Sequence, residues 1–472
     1  MKTRVRYAPS PTGDPHIGNI RVALFNWLFA RKNGGDFIIR IEDTDSKRKV
    51  PGSVERILES LKWLGLNYDE GPYYQSERLD IYKKYVQELI DKDYAYYCFC
   101  TSEELEKERE RQIKAKLPPM YNRRCRDLDK KEVEKKLKDK TPYVIRLKVP
   151  TEGKIKFKDA IKGEIEFDFK SVDDQVLLKS DGYPTYHLAS VVDDYLMKIT
   201  QVIRGEEWIS SVPKHLLLYK FFGWTPPKFA HVPLILGPNK EKLSKREGAI
   251  PILEYEELGY IPDALINFMA LLGWNPDTEQ EVFSREELIK KFSLEKIQKT
   301  NAVFDIKKLD WINGLYIRNT SLDELTKKAV PYFEKAGFDI SDFDYLKKII
   351  SAEKERIKKL SEIRELADFF FTDDIKYDPK LLFWKKQNEK DVAKNLTLAK
   401  EKLFLLSEND WNKINLEKSL MDLAKATGVG ELLWPLRVSL TGKKGSPSPF
   451  EVAEILGREK TIKRIEETLK KL

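Results

Sequence analysis

Three cysteines in 472 residues cannot build a disulfide framework, and their odd number points to a reducing compartment. No stretch reaches the roughly 18 uncharged apolar residues of a membrane span. The nearest, residues 265–273 and 215–224, are short or carry a lysine. The opening residues, MKTRVRYAPSPTG, turn polar within a few positions and do not read as a secretory signal. Internal repeats and low-complexity tracts are absent too. The expectation is a soluble, cytoplasmic protein.

Excess charge of one sign is also scarce: 85 Lys and Arg against 77 Asp and Glu leave +8. That excess sits in two segments, residues 101–140 and 437–472, each with a net of +4, and the remainder balances. Solvated mixed-charge helices are one reading of these segments. Two separated anion-facing patches, as a long polyanion such as RNA needs, are the other. Charge alone leaves both open. Core material is ample, since 41% of the residues are apolar, and 34% charged residues supply a solvated surface, so disorder of the whole chain is excluded. At roughly 100–200 residues per domain, the length predicts three or four domains.

Residues 3–7 alternate as a strand and 8–15 form a Pro/Gly loop. From His16 the apolar positions Ile17, Ile20, Leu24, Trp27 and Leu28 follow helical spacing. Gly34 and Gly35 end that helix, 37–41 reads as a buried strand, and Pro51-Gly52 opens a helix through Leu64. Alternation at this spacing predicts a parallel α/β sheet. Residues 80–140 then turn helical and charge-rich. Residues 142–186 read as short strands at 143–149, 155–157, 164–169 and 175–178, an α+β insertion. The α/β pattern resumes with a strand at 200–203, a helix through His215 to Phe222 and a strand at 231–236. From Pro262 onward nearly everything is helix-patterned.

The segment from Ala8 to Asn19, APSPTGDPHIGN, joins a predicted strand to a helix N-terminus, where backbone N–H groups and the helix dipole favour anions. Gly18 has no side chain, so a flat nucleobase can lie against the backbone, and His16 can donate to phosphate oxygens. Much further along, Lys242-Leu243-Ser244-Lys245-Arg246 places three cations and a hydroxyl on a loop. Such a loop suits a pentavalent phosphorus centre that gains charge only in the transition state. Taken singly, a histidine at a helix start is more often a cap, and a run of this kind more often a solvated loop. Together, in this order and strand context, they point to nucleotide chemistry.

With these two motifs the sequence resembles the class I aminoacyl-tRNA synthetases, and specifically the bacterial-type glutamyl-tRNA synthetases. His16-Ile17-Gly18-Asn19 is similar to the HIGH signature and KLSKR to KMSKS. RIEDTD, DEGPYYQSERL, KSDGYPTYHLA, VVDDYL, VIRGEEW, HVPLILGP and LDWINGLYIR also fit, and the likeness runs from the start to PLRVSLTG and ILGREK near the end. It implies that glutamate is activated by ATP to glutamyl-adenylate and passed to the 3′ end of tRNA-Glu, or also of tRNA-Gln if the enzyme is non-discriminating. The chemistry then needs positioning and charge stabilisation rather than a side-chain nucleophile. Magnesium would accompany ATP, taking most ligands from phosphates and water.

The implied fold is multidomain: a Rossmann-like parallel-sheet catalytic domain (1–79 and 187–235) and an inserted α+β acceptor-end-binding domain (80–186). A stem-contact domain carrying KLSKR (236–320) follows, then an all-helical anticodon-binding region in two parts (321–368 and 369–472). The resemblance also implies a monomer.

Residue by residue, it gives His16, Gly18, Lys242, Ser244 and Lys245 to ATP, with His16, Gly18, Lys242 and Lys245 counted as catalytic. It gives Arg6, Ser10, Glu42, Tyr186, Ser190 and Arg204 to the amino acid. An arginine supplies the planar two-pronged donor a carboxylate needs. Arg6 is the expected side-chain reader, Glu42 holds the α-ammonium and Arg204 grips the second carboxylate. Asn19 stands where HIGH has its second histidine, and Ser190 where some relatives have asparagine. The remaining histidines, His187, His215 and His231, read as packing.

Cys98, Cys100 and Cys125 could chelate zinc, as some members of the family do there, but four ligands are normal for a structural site. The family's final histidine is replaced in Cys125-Arg126-Asp127, which leaves Tyr121 or Asp127 as the fourth ligand. A plain core role is the alternative. Glutaminyl-tRNA synthetases share the catalytic half but carry a β-barrel anticodon region, whereas residues 321–472 are helical in pattern. A truncated relative that modifies a tRNA base lacks that half, and a non-catalytic tRNA-binding scaffold would be expected to lose pocket or KLSKR residues. Arg356 matches an arginine that reads the last anticodon base in some relatives. Arg437 lies in a segment near the anticodon loop, where aromatics such as Trp434 could stack on bases.

Overall fold

The computed structural model describes residues 2–241, 243 and 250–472. The KLSKR motif, Leu243 apart, lies outside them. The chain divides into two compact units, Met1–Tyr255 with Leu265–Ile306, and Glu256–Ala264 with Lys307–Leu472.

The first unit opens with strand β1 (Arg4–Tyr7), helix α1 (Ile17–Lys32), strand β2 (Asp36–Ile41), helix α2 (Ser53–Trp63) and strand β3 (Glu70–Tyr74). The three strands form a parallel sheet in the order β1-β2-β3, with Arg6 opposite Ile38. Five of the six β2 residues are buried, as a strand covered on both faces requires. The sequence reading names no strand between Leu64 and residue 80, where β3 lies. There Gly71 has φ +99°, and a Cβ on it would stand 2.3 Å from the Ile39 carbonyl oxygen, so only glycine lets the backbones approach.

Helix α3 (Leu79–Asp91), strand β4 (Ala95–Cys98), helices α4 (Ser102–Lys114) and α5 (Lys130–Lys138) and strand β5 (Val144–Leu147) follow. Strands β6 (Lys154–Asp159), β7 (Gly163–Asp168) and β8 (Val176–Leu178) come next. β4 interrupts a segment the sequence reads as helical. It is short, and its Ala-Tyr-Tyr-Cys pattern is overshadowed by the charged helices after it. β4-β5-β8 is an antiparallel sheet, whereas β6 and β7 form a hairpin that joins a different sheet. Helix α6 (Tyr186–Leu196), strand β9 (Gln201–Gly205), helix α7 (Val212–Phe222) and strand β10 (Lys228–Val232) complete the layer. That second sheet runs β7-β6-β10-β9, with β10 parallel to β9 and to β6. The Thr200 amide donates to the Arg4 carbonyl at 2.9 Å and brings β9 alongside β1.

The second unit is helical. Its later helices, Glu389–Phe404, Lys413–Thr427, Val429–Thr441 and Pro449–Leu469, pack on one another. Val392, Leu396, Ala399 and Leu403 bury one stripe of the first, and Leu416, Leu420 and Ala424 one stripe of the second. Asn388, Asn412 and Ser448 cap three of these helices through side-chain oxygens. Among the described residues no helix is long and apolar enough to cross a membrane.

Candidate active site

A cavity of about 900 Å³ opens where the C-terminal ends of β1, β9 and β10 meet the N-terminus of α1. This is where parallel α/β sheets bind ligands. His16 is the N-cap of α1: its Nδ1 accepts from the Gly18 amide at 3.1 Å, which puts the neutral ring's proton on Nε2. A Cβ on Gly18 would come within 2.9 Å of His16 Cε1, so a side chain there would displace the ring. Asn19 accepts from the His16 amide through Oδ1 at 3.4 Å and closes a capping box. That local role suits the residue that departs from HIGH. Ser10, His16, Gly18 and Asn19 all line the cavity.

Arg6, Glu42, Tyr186 and Arg204 line the same cavity. Arg6 sits near the end of β1, and its Nε donates to Asp194 Oδ1 at 3.0 Å. Among the described residues its two terminal amino groups make no hydrogen bond, so the fork is open. Arg40 donates to the same Asp194 oxygen at 2.7 Å and to Glu42 Oε1 at 3.1 Å, and lies 3.8 Å from Asp193. Asp193 in turn accepts from Gln75, Arg78 and Tyr82. Burial raises the Glu42 carboxyl above its ordinary range, against the pull of Arg40 and Arg6. Asp194 is also penalised by burial, yet Arg6 and Arg40 hold it below that range. Ser190 lies behind this cluster, buried and 3.5 Å from Arg40, and is not among the residues that line the cavity.

Arg204, on β9, is gripped from several sides. Its Nε donates to His231 Nε2 at 3.0 Å, one terminal nitrogen to the Tyr186 hydroxyl at 2.5 Å, and the other to the Trp208 carbonyl at 3.2 Å. The nitrogen facing Tyr186 also lies 3.4 Å from His215 Nδ1. Of five N–H groups, four are thus engaged, and Arg204 offers a cavity ligand its charge and one donor rather than a full fork. The histidines that sequence pattern assigns to packing therefore surround a pocket arginine. His215 Nε2 lies 3.2 Å from His187 Nδ1, and His231 Nδ1 lies 2.6 Å from Asp159. Burial lowers all three, His187 to about 3, so they are neutral near pH 7. Asp159, Asp193, Asp194 and Arg40 went unnoticed as site-supporting residues. The adjacent acids in VVDDYL, amid apolar residues of a helix, are the one signal that marked two of them.

The end of β4 and the turn containing Cys125 bring three thiols together: the sulfurs of Cys98, Cys100 and Cys125 all lie within 4.8 Å of one another. The Tyr121 hydroxyl is 3.3 Å from Cys98 Sγ and 3.6 Å from Cys100 Sγ, and it accepts from the Cys125 amide at 2.9 Å. Hydrogen bonds from Cys125 and then Tyr121 pull the Cys98 thiol below its ordinary range despite burial. Asp127 is exposed and stands outside the cluster. Of the two fourth ligands left open by the sequence, Tyr121 is the one in reach. Three sulfurs and a phenol oxygen form a donor set that fits zinc.

In the helical unit, Arg356 pairs with the buried Glu353 at 2.6 Å. Burial raises the Glu353 carboxyl to about 7. Arg437 donates to the carbonyls of Ser446 and Pro447 and to the Ser446 hydroxyl, at 2.6–2.8 Å. All three contacts come from one terminal nitrogen, Nη1, which anchors the side chain on that loop. Trp434 donates to the Leu381 carbonyl and packs on Trp384 with ring centroids 5.0 Å apart, so it serves the fold.

Comparison with known proteins agrees with this picture. Residues 2–311 match the family described as tRNA synthetases class I (E and Q), catalytic domain, and residues 324–469 an anticodon binding domain. The chain is 50% identical to a glutamate–tRNA ligase of Dehalococcoides mccartyi, over 98% of this chain and 97% of that one. It is 44% identical to glutamate–tRNA ligase 2 of Thermoanaerobacter pseudethanolicus, over 99% and 98%. A crystal structure of a glutamate tRNA ligase from Elizabethkingia meningosepticum, in complex with its amino acid, superposes with a TM-score of 0.91 at 39% identity and covers both chains completely.

Proposed function

The chain belongs to the class I glutamate–tRNA ligases, and on that footing we propose how its residues divide the work of joining glutamate to tRNA with ATP. The observation that carries the assignment is the single cavity shared by Arg6, Glu42, Tyr186 and Arg204 with His16 and Gly18 at the start of α1.

Arg6 presents its open fork to the glutamate side-chain carboxylate. Glutamine is rejected because its neutral amide leaves that donor fork without a carboxylate to match it, the direction in which polar discrimination is strongest. Glu42 holds the α-ammonium. Arg204 supplies charge and one N–H to the second carboxylate, with Tyr186 closing the wall and Ser10 contacting the substrate. His16 donates from Nε2 to a phosphate oxygen, and the Gly18 backbone accepts the adenine face. Lys242, Ser244 and Lys245 stabilise the phosphate charge that grows in the transition state. Magnesium, when bound with ATP, neutralises the phosphates and takes its ligands chiefly from them and from water. Proximity of the α-carboxylate to the α-phosphorus, and then of the tRNA ribose hydroxyl to the acyl carbon, does the rest.

Zinc, when bound, would be held by Cys98, Cys100, Cys125 and Tyr121 and would pin α4 and the turn at Cys125 to β4. The expected partition is a catalytic core at 1–79 and 187–235, an acceptor-end module at 80–186, a stem-contact segment at 236–320 and anticodon-binding parts at 321–368 and 369–472. The working form is a monomer. Arg356, supported from below by Glu353, discriminates C from G at the last anticodon base, which selects tRNA-Glu over tRNA-Gln. Arg437, anchored through Nη1 on the loop at Ser446 and Pro447, contributes its remaining N–H groups to the anticodon loop.

Charging with labelled glutamate, offering purified tRNA-Glu and tRNA-Gln separately with ATP and magnesium, tests this. Charging of tRNA-Glu alone is expected. Charging of both would keep the ligase but remove Arg356 as a discriminator, and charging of neither would overturn the assignment.

A further inference from the structure

Arg204 carries only donors, so any nitrogen that faces it within hydrogen-bond distance must present a lone pair. His231 Nε2 faces Arg204 Nε at 3.0 Å and must be unprotonated, which places the single proton of the neutral imidazole on Nδ1. That nitrogen lies 2.6 Å from Asp159 Oδ2, and both side chains are fully buried. The other carboxylate oxygen, Oδ1, accepts from the backbone amides of Ile161 and Lys162 at 2.9 Å and from that of His231 at 3.3 Å. Three N–H groups therefore fix which oxygen faces the ring.

We infer that Asp159 and His231 are positioning residues for glutamate recognition: Asp159 sets the tautomer of His231, and His231 in turn holds the Arg204 guanidinium in the orientation that aims its one remaining donor into the cavity. The inference rests on Arg204 contacting the amino acid. The same chain of contacts leads from the β6–β7 hairpin, within the segment between the two halves of the parallel layer, to the pocket wall. Arg204 also stands over the Phe229 ring at 5.7 Å, so its plane is bounded on one face by that ring and at its edge by His231. Burial and the nearby Arg204 charge keep His231 neutral against the pull of Asp159.

Asp159→Asn is the sharp perturbation. The three backbone donors keep the amide oxygen where Oδ1 was, so the amide NH2 must face His231 Nδ1. The ring then has to move its proton to Nε2 and set an N–H against the N–H of Arg204. Steady-state ATP–pyrophosphate exchange with tRNA-Glu present should show KM for glutamate rising by roughly tenfold or more, since a buried donor is left opposed, with KM for ATP within about twofold. His231→Asn, which loses the acceptor at the Nε2 position, should do the same. His231→Gln, whose terminal amide reaches that position and can turn its oxygen to Arg204, should recover most of the loss. In the His231→Gln background, Asp159→Asn should add no more than about twofold, because no tautomer remains to be set.

A glutamate KM within about threefold of wild type in Asp159→Asn, or parallel losses for glutamate and ATP, would overturn the inference. So would equal losses in His231→Asn and His231→Gln, a pair that decides the matter even where Asp159→Asn does not fold. Arg204→Met separates the two levels: if it leaves glutamate KM unchanged, the assignment of Arg204 to the amino acid has failed, and if it raises KM while Asp159→Asn does not, only the positioning role has.

Discussion

Asp194→Asn removes one charge and almost no volume from the centre of the site. Arg6 and Arg40 both donate to the same Asp194 oxygen, at 3.0 and 2.7 Å, and their side chains are 3% and 0% exposed. Removing one partner of a buried ion pair costs about 3–5 kcal/mol, because the remaining charge stays desolvated. Arg40 keeps Glu42 at 3.1 Å and Asp193 at 3.8 Å, and the asparagine oxygen still accepts one hydrogen bond, so the lower end applies, about 3 kcal/mol. For a unit of this size that corresponds to a fall in Tm of roughly 5–10 °C. Because the folded Asp194 carboxyl lies below its ordinary range, its contribution is complete above the unfolded pKa and is lost as pH falls through the folded one. The gap between wild type and variant should therefore be constant near neutrality and close on acidification below the ordinary carboxylate range. Calorimetry of the full chain across that range checks both statements. A fall in Tm under about 2 °C, equivalent to less than about 1 kcal/mol, would refute the idea that the two arginines depend on this carboxylate.

Arg6→Ala should lower kcat/KM for glutamate more than about a hundredfold, from the same roughly 3–5 kcal/mol of lost buried pairing, and a loss under about fivefold would remove Arg6 as the side-chain reader. Glu353 takes a proton more readily folded, at about 7, than unfolded, so its contribution falls as pH rises from the ordinary glutamate range through 7. Over that window the wild type should lose roughly 3 kcal/mol relative to Glu353→Gln in urea unfolding, and parallel pH profiles for the two proteins would exclude the effect. Freshly purified, untagged protein should hold close to one zinc per chain, and Tyr121→Phe should weaken its retention against a chelator. Stoichiometry well below one would retire the metal site.

Where function was legible, it was because the chemistry requires residues close together in sequence. The helix start proposed to bind phosphate needs its histidine and glycine on one turn, and APSPTGDPHIGN shows both, with the strand before and the helix after. The short strands between 142 and 186 were readable from their alternation, and the helical C-terminal half from its spacing. β3 was missed because Gly71 and Pro72 are turn signals, whereas here glycine serves a close backbone approach at an irregular strand pairing. The charge at 101–140 was ambiguous for a physical reason: part of it is satisfied within the fold, Arg111 by Glu108, Arg124 by Glu104, and Arg123 and Arg126 by the buried Asp174 from outside the segment.

What the sequence hides is the support behind the pocket, since those partners meet only through the sheet. Asp159 and His231 are 72 positions apart; Asp159 lies in none of the blocks that carry the resemblance, and His231 opens one, HVPLILGP, that attaches no role to it. A histidine at the start of a predicted strand, 231–236, reads as packing because burial and alternation are all that periodicity reports. Its protonation state, and therefore whether it can accept from Arg204, depends on an aspartate whose position follows from β6 pairing with β10 at Asp159 and Phe229. Boundaries drawn at 80 and 186 follow changes in composition, yet this pairing and the hydrogen bonds of Asp159 cross them. An insertion that donates a strand to the core layer can also donate a charge to the pocket. With Arg204 contacting glutamate as proposed, substitutions in the β6–β7 hairpin that leave its fold intact should alter the affinity for glutamate without touching the substrate, through the 3.0 Å bond between His231 and Arg204.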